Sequence, residues 1–182
     1  LLMLFLVPLF SMRLLAEEKA SGTIELLFTY PLTDITLVAA KYLAGLTVLV
    51  ILIACTGAYM GILAFLSPID WGVVISSYTG LVLLAGSFLA VGLFASSLTK
   101  NQIIAASASF GLILIFWAMG GLSEHLSSGL TSKVITELAL LTHLSSFLKG
   151  ILVLKDAAYY VFFSLFFLAL TVSVLESRRW RG

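Results

Sequence analysis

The sequence predicts an all-α protein, a polytopic bundle of transmembrane helices, and three observations lead there. Of the 182 residues, 61% are hydrophobic and 10% charged, and mean hydropathy is +1.16, a balance that no water-soluble domain carries. Four apolar stretches after the first charged segment (residues 42–66, 73–98, 103–122 and 157–175) contain no Asp, Glu, Lys, Arg or His, and each can cross a ~30 Å hydrocarbon core. Their apolar residues run continuously and do not alternate, which selects helices over a β-barrel. A net charge of +1 is too small to indicate nucleic acid binding. One cysteine, Cys55, lies inside an apolar run, so one chain can build neither a disulfide nor a thiolate metal site; it reads as a small buried apolar side chain.

In chain order, residues 1–12 come first. Leu1–Phe10 is apolar and spans about half a crossing at ~1.5 Å per residue. It has neither the basic start nor the small-residue cleavage site of a signal peptide. The expectation is the end of a transmembrane helix that begins in an earlier segment.

Residues 13–41 form the long charged run between apolar spans. With Met12 they hold four of the nine carboxylates, Glu17, Glu18, Glu25 and Asp34, interleaved with Leu14, Leu15, Ile24, Leu26, Leu27 and Phe28. That spacing suits one amphipathic helix, or two short ones broken at Gly22, lying in the membrane interface with a face open to a partner. A surface helix without a partner fits the pattern equally well. Tyr30-Pro31 ends the helical pattern, because the proline ring disfavours an α conformation in the residue before it.

The span 42–66 stops at Ser67-Pro68-Ile69-Asp70-Trp71, where proline breaks the helix and tryptophan marks the interface. The spans 73–98 and 103–122 are joined by Thr99-Lys100-Asn101-Gln102. Residues 123–156 are partly polar, yet Leu138–Leu141 and Ile151–Leu154 are too apolar for a plain loop; short helices dipping into the outer leaflet would bury them. The span 157–175 and the tail 176–182 complete the chain. Small residues suggest close helix packing at Gly57 and Gly61, at Gly86 and Ala90, and along Ala105–Gly111, within one subunit or between two.

Lysine and arginine set the orientation. With residues 13–41 inside, Arg13, Lys19, Lys41, Lys100, Arg178, Arg179 and Arg181 are inside and Lys133, Lys149 and Lys155 outside, as the positive-inside rule requires. The C-terminus is then cytoplasmic, its arginines anchored to lipid phosphates. The spans carry none of the ionisable groups that proton- or ion-driven carriers keep near the midplane. No G-x-x-x-x-G-K-[ST], G-x-S-x-G or H-E-x-x-H occurs, so neither a P-loop nor a hydrolase site is expected. His125 and His143 lack metal-ligand spacing and read as interfacial hydrogen-bonding groups.

The run Glu17-Glu18-Lys19-Ala20-Ser21-Gly22-Thr23-Ile24-Glu25-Leu26-Leu27, with Pro31 and Lys41, resembles type-2 ABC exporter permeases, which place E-[KR]-x-x-G-T-x-E-x-L-L-x-x-P between their second and third spans. His143-Leu144-Ser145-Ser146-Phe147, Gly150, Asp156, Tyr159 and Leu175–Trp180 resemble the subgroup with gliding-motility and nitrous-oxide-maturation permeases. The resemblance implies a six-span fold truncated at its N-terminus and a dimer of identical or paralogous permeases in a prokaryotic inner membrane. It also implies a separate ATP-binding subunit holding ATP and Mg, with no cofactor or catalytic residue in this chain.

Residues 12–30 would then be a cytoplasmic coupling helix, or part of one. Glu17, Glu18 and Glu25 would meet basic groups of the ATPase, and Leu27 and Phe28 an apolar cleft. Gly22 would allow a bend, Thr23 would cap the second helical piece, and Pro31 would close the motif. The function implied is an exporter permease; the alternative is a membrane anchor for a partner complex without transport.

Overall fold

A computed structural model describes residues 1–23, 33–123 and 136–179, and all of its regular elements are helices. They are α1 (Leu2–Ser11), α2 (Arg13–Ser21), α3 (Asp34–Leu66), α4 (Trp71–Leu98), α5 (Gln102–Ser123), α6 (Leu140–Leu148) and α7 (Leu154–Arg179). Four of them, α3, α4, α5 and α7, are long and apolar enough to cross a membrane.

The boundaries follow from local chemistry. The Thr33 hydroxyl accepts the Thr36 amide at 3.3 Å and starts α3, with Asp34 in the first turn where a carboxylate suits the helix dipole. No breaker separates Thr33 from Tyr42, so the helix begins well before the strictly apolar residues do. At 33 residues it is about 50 Å long, more than a membrane core requires. Asp70 accepts the Gly72 amide at 2.9 Å and starts α4 after the Pro68 turn. In the polar link, Asn101 accepts the Ile103 amide at 2.9 Å and starts α5. The last helix likewise starts early, at Leu154, with Asp156 in its first turn.

α4 is the axis of the bundle and packs against every other helix named above. In its most apolar window 72% of residues are buried, against 11% in α3, so the two spans have opposite environments despite similar composition. Small residues make the approach possible. A Cβ on Gly80 would lie 2.7 Å from Phe147 Cβ, one on Gly86 would lie 2.8 Å from Tyr42 Oη, and one on Gly92 would overlap Ser11 Oγ. Phe116, Phe163 and Phe167 fill the space between α5 and α7 at ring separations of 5.0 to 6.0 Å.

Cys55, expected in the interior, is exposed on α3. In lipid an apolar or weakly polar side chain on the outside of a peripheral helix has no reason to be buried, so hydrophobicity does not report which face of α3 packs. The apolar residues around α6 divide the same way. Leu140, Leu144 and Phe147 are buried in the bundle, while Ile151, Leu152 and Leu154 stay on its surface.

Candidate functional site

The charged segment begins at a break in the α1–α2 ladder, and a side chain from α4 makes the break. Ser96 Oγ accepts the Leu15 amide at 3.1 Å and the Ala16 amide at 2.8 Å, and donates to the Met12 carbonyl at 3.0 Å. A hydroxyl has one proton and two lone pairs, so its capacity is filled. These are the amides and the carbonyl through which an uninterrupted helix would run from α1 into α2. Inserting a foreign hydroxyl there separates the two helices and gives α2 an N-cap its own sequence lacks.

The rest of α2 is divided by its periodicity. Leu15, Ala16 and Lys19 are buried, and Arg13, Glu17 and Ala20 are exposed. The Lys19 ammonium donates to the Ser97 carbonyl in the last turn of α4, the end of a helix that favours a cation. Ser96 and Ser97 thus hold both ends of the buried face of α2. Neither stood out in the sequence; the signal was a pair of hydroxyls at the polar end of an apolar span.

The predicted site residues separate accordingly. Glu17 faces outward, free of the bundle's packing. Glu18 turns back and forms an ion pair with Lys41 on α3, so its carboxylate ties α2 to the next span. Gly22 ends α2 at φ 74°, a left-handed conformation that glycine adopts without Cβ strain. The Thr23 hydroxyl lies 2.9 Å from Ser21 Oγ and donates to the Glu18 carbonyl at 3.4 Å; the helical piece it is expected to cap lies outside the described residues. Glu25, Leu27, Phe28 and Pro31 lie outside the described residues.

A family model for ABC-2 family transporter proteins matches residues 2–175. The chain belongs to that family. Searches of curated proteins and of solved structures gave no match. Membership makes this ABC-2 chain a multi-pass membrane component of a transporter, and the match takes in the α2 segment, the four long helices and α6 together.

At the other end of α4 the ABC-2 chain has a second polar cluster. α6 lies against Gly80, and Gly150, at φ 81°, ends it: the Gly150 amide donates to the Phe147 carbonyl at 3.1 Å and that of Ile151 to the Ser146 carbonyl at 3.1 Å. A Cβ at Gly150 would lie 2.9 Å from Val73 Cγ2, so both conformation and space call for glycine there. The motif residues converge beside it. His143 Nδ1 is 2.7 Å from Asp156 Oδ1, and the ring stacks on Tyr159 at 4.0 Å. Tyr159 Oη donates to the Leu138 carbonyl at 2.8 Å and Tyr160 Oη to that of Leu140 at 2.6 Å. Lys155 donates to Glu137 Oε1 at 2.7 Å, and this bond holds the Glu137 carboxyl below its ordinary value.

The predicted packing residues differ in outcome. Gly86 and Ala90 are buried in α4. Gly57 and Gly61 have nothing within 4 Å of an added Cβ, so this pair makes no close approach among the described residues. No group of three or more metal-ligating side chains comes together among the described residues.

Proposed function

We propose that this chain is the permease subunit of an ATP-driven exporter in a prokaryotic inner membrane, working on a separate ATP-binding subunit that holds ATP and Mg. The observation that carries the reading is the attachment of α4 at both ends. Ser96 and Ser97 bind α2 at one end, and Gly80 and Gly150 seat α6 at the other, some 16 residues or about 24 Å of helix away. A displacement of α2 by a cytoplasmic ATPase therefore has a rigid, buried helix through which to reach the opposite face.

In this reading the exposed face of α2, with Glu17, and the following residues through Glu25, Leu27, Phe28 and Pro31 meet the ATPase. Glu18 serves inside the permease by fixing α2 to α3. The apolar stretches 42–66, 73–98, 103–122 and 157–175 hold no Asp, Glu, Lys, Arg or His, which fits a subunit whose energy comes from a partner. A second permease copy or a paralogue completes the pathway, with the open Gly57–Gly61 face of α3 available for it, and lipid surrounds the rest.

The test is co-purification from native membranes under mild detergent. The expected result is a bound P-loop ATPase whose association falls with Glu17→Arg or Glu25→Arg while membrane insertion is unchanged. If no ATPase accompanies the protein under conditions that preserve other membrane complexes, the anchor reading replaces the exporter.

A further inference from the structure

Where α1 passes into α2, a cavity of about 800 Å³ opens between these helices and the start of α3, a volume in the range of small-molecule sites. Its walls differ in kind. Leu9, Phe10 and Leu14 make an apolar wall across the α1–α2 junction. Arg13, Glu17 and Ser21, spaced four residues apart on one face of α2, make a polar wall together with Thr23. The Lys41–Glu18 ion pair lines the side toward α3. Ser96, two residues before the end of α4, holds the Leu15 amide, so the polar wall lies level with the end of a span, where lipid headgroups are.

Charge narrows the ligand. The cavity is lined by two cations, Arg13 and Lys41, and by two carboxylates, Glu17 and Glu18. Lys41 and Glu18 neutralise each other, whereas Arg13 and Glu17 form no ion pair among the described residues. One uncommitted charge of each sign suits a zwitterion; a plain anion would meet both carboxylates.

The cationic half of the zwitterion follows from what can bind it. A primary ammonium donates up to three hydrogen bonds, which the Glu17 carboxylate can accept. The Ser21 and Thr23 hydroxyls donate to carbonyls of α2 and so keep oxygen lone pairs for the same group. A trimethylated nitrogen has no N–H and calls for a cage of aromatic faces, and Phe10 is the one aromatic residue in the lining.

We propose that this cavity binds one phospholipid with a phosphoethanolamine headgroup, its phosphate on Arg13, its ammonium on Glu17 and its acyl chains along Leu9, Phe10 and Leu14. The two charges on α2 are four residues apart, about 6 Å along the axis. Their flexible side chains close the difference to a two-carbon link between phosphate and ammonium. Glu17 also belongs to the face assigned above to the ATPase, so headgroup and ATPase draw on the same carboxylate.

The full chain, stripped of lipid in detergent, is titrated with short-chain phosphatidylethanolamine, phosphatidylcholine and phosphatidylglycerol, and bound lipid is counted by native mass spectrometry. No ATPase is present, so the outcome is independent of the co-purification. The expected result is one phosphatidylethanolamine per chain, bound about tenfold more tightly than either other lipid, the scale of one hydrogen bond to a charged group. Arg13→Gln is expected to weaken it about tenfold. Glu17→Gln should weaken phosphatidylethanolamine and strengthen phosphatidylglycerol, a reversal that general loosening of α2 does not produce. Equal binding of the three lipids by the native chain overturns the proposal, as does an unchanged order of the lipids in Glu17→Gln. Glycerophosphoethanolamine, the headgroup without chains, also overturns it by binding as tightly as the lipid, which would make this a site for a soluble ligand. The native chain's preference is read without any variant, so the proposal stays open to refutation even if a variant fails to fold.

Discussion

The hydroxyl of Ser96 lies 2.8 Å from the amide of Ala16, on a helix 80 residues away in sequence, and supplies the cap that opens that helix. Replacing it with alanine removes the cap from α2 and the donor to the Met12 carbonyl together. Ser96→Ala is expected to cost about 0.5–2 kcal/mol, read as a lower melting temperature, with faster exchange at the Leu15 and Ala16 amides. Unchanged exchange at those two amides would show that the hydroxyl does not hold them.

Two glycines on neighbouring spans should respond oppositely to the same methyl group. Gly80→Ala drives Cβ to 2.7 Å from Phe147 Cβ and should cost about 1–3 kcal/mol while loosening α6. Gly57→Ala meets nothing within 4 Å and should leave monomer stability unchanged. Thermal melts of both variants in one detergent make the comparison; equal losses would contradict the packing described for α4 and α3.

Backbone conformation and space can be separated at the two left-handed glycines. Gly22→Ala encounters strain alone, at φ 74° in open surroundings, so about 1–2 kcal/mol is expected. Gly150→Ala adds a 2.9 Å contact with Val73 to strain at φ 81° and should cost more. The order of the two melting temperatures is the test, and Gly22 losing more than Gly150 would refute it.

Acid should weaken the attachment between Glu137 and α7. The Lys155 hydrogen bond depresses the Glu137 carboxyl below its ordinary value of 4.5, so its stabilisation is complete above that value and disappears as pH falls through the lower folded-state value. Because both side chains are more than half exposed, the effect is small and salt-sensitive. Amide exchange near residues 136–140 should show an acid-side step that Glu137→Gln abolishes. A step that survives in that variant would assign it to another group.

Much of this arrangement was legible in the sequence because membrane insertion depends on local composition. Continuous apolar runs gave the four long helices, and Gly22 marked the break that ends α2. Helix starts were less legible: Thr33 caps α3 from within a polar stretch that hydropathy assigns to the interface. Contacts between distant residues were not legible at all. Glu18 reads as a partner-facing charge and Lys41 as a positive charge at the start of a span, and the two meet each other across 23 residues; His143 and Asp156 belong to one motif whose spacing does not show their pairing. Ser96 carried no local mark, because a serine in a span has many harmless positions and its three partners are 80 to 84 residues away.

The borrowed cap also sets an order of assembly. Nine residues are too few for a stable isolated helix, and α2 has no capping side chain of its own. When Ala16 leaves the ribosome, the serine that will start its helix has yet to be synthesised, and α3 and most of α4 must be made and inserted first. The segment at residues 13–21 is therefore made before the span that caps it and takes its final shape only once that span is in place. Its folding records that the span behind it has reached its place.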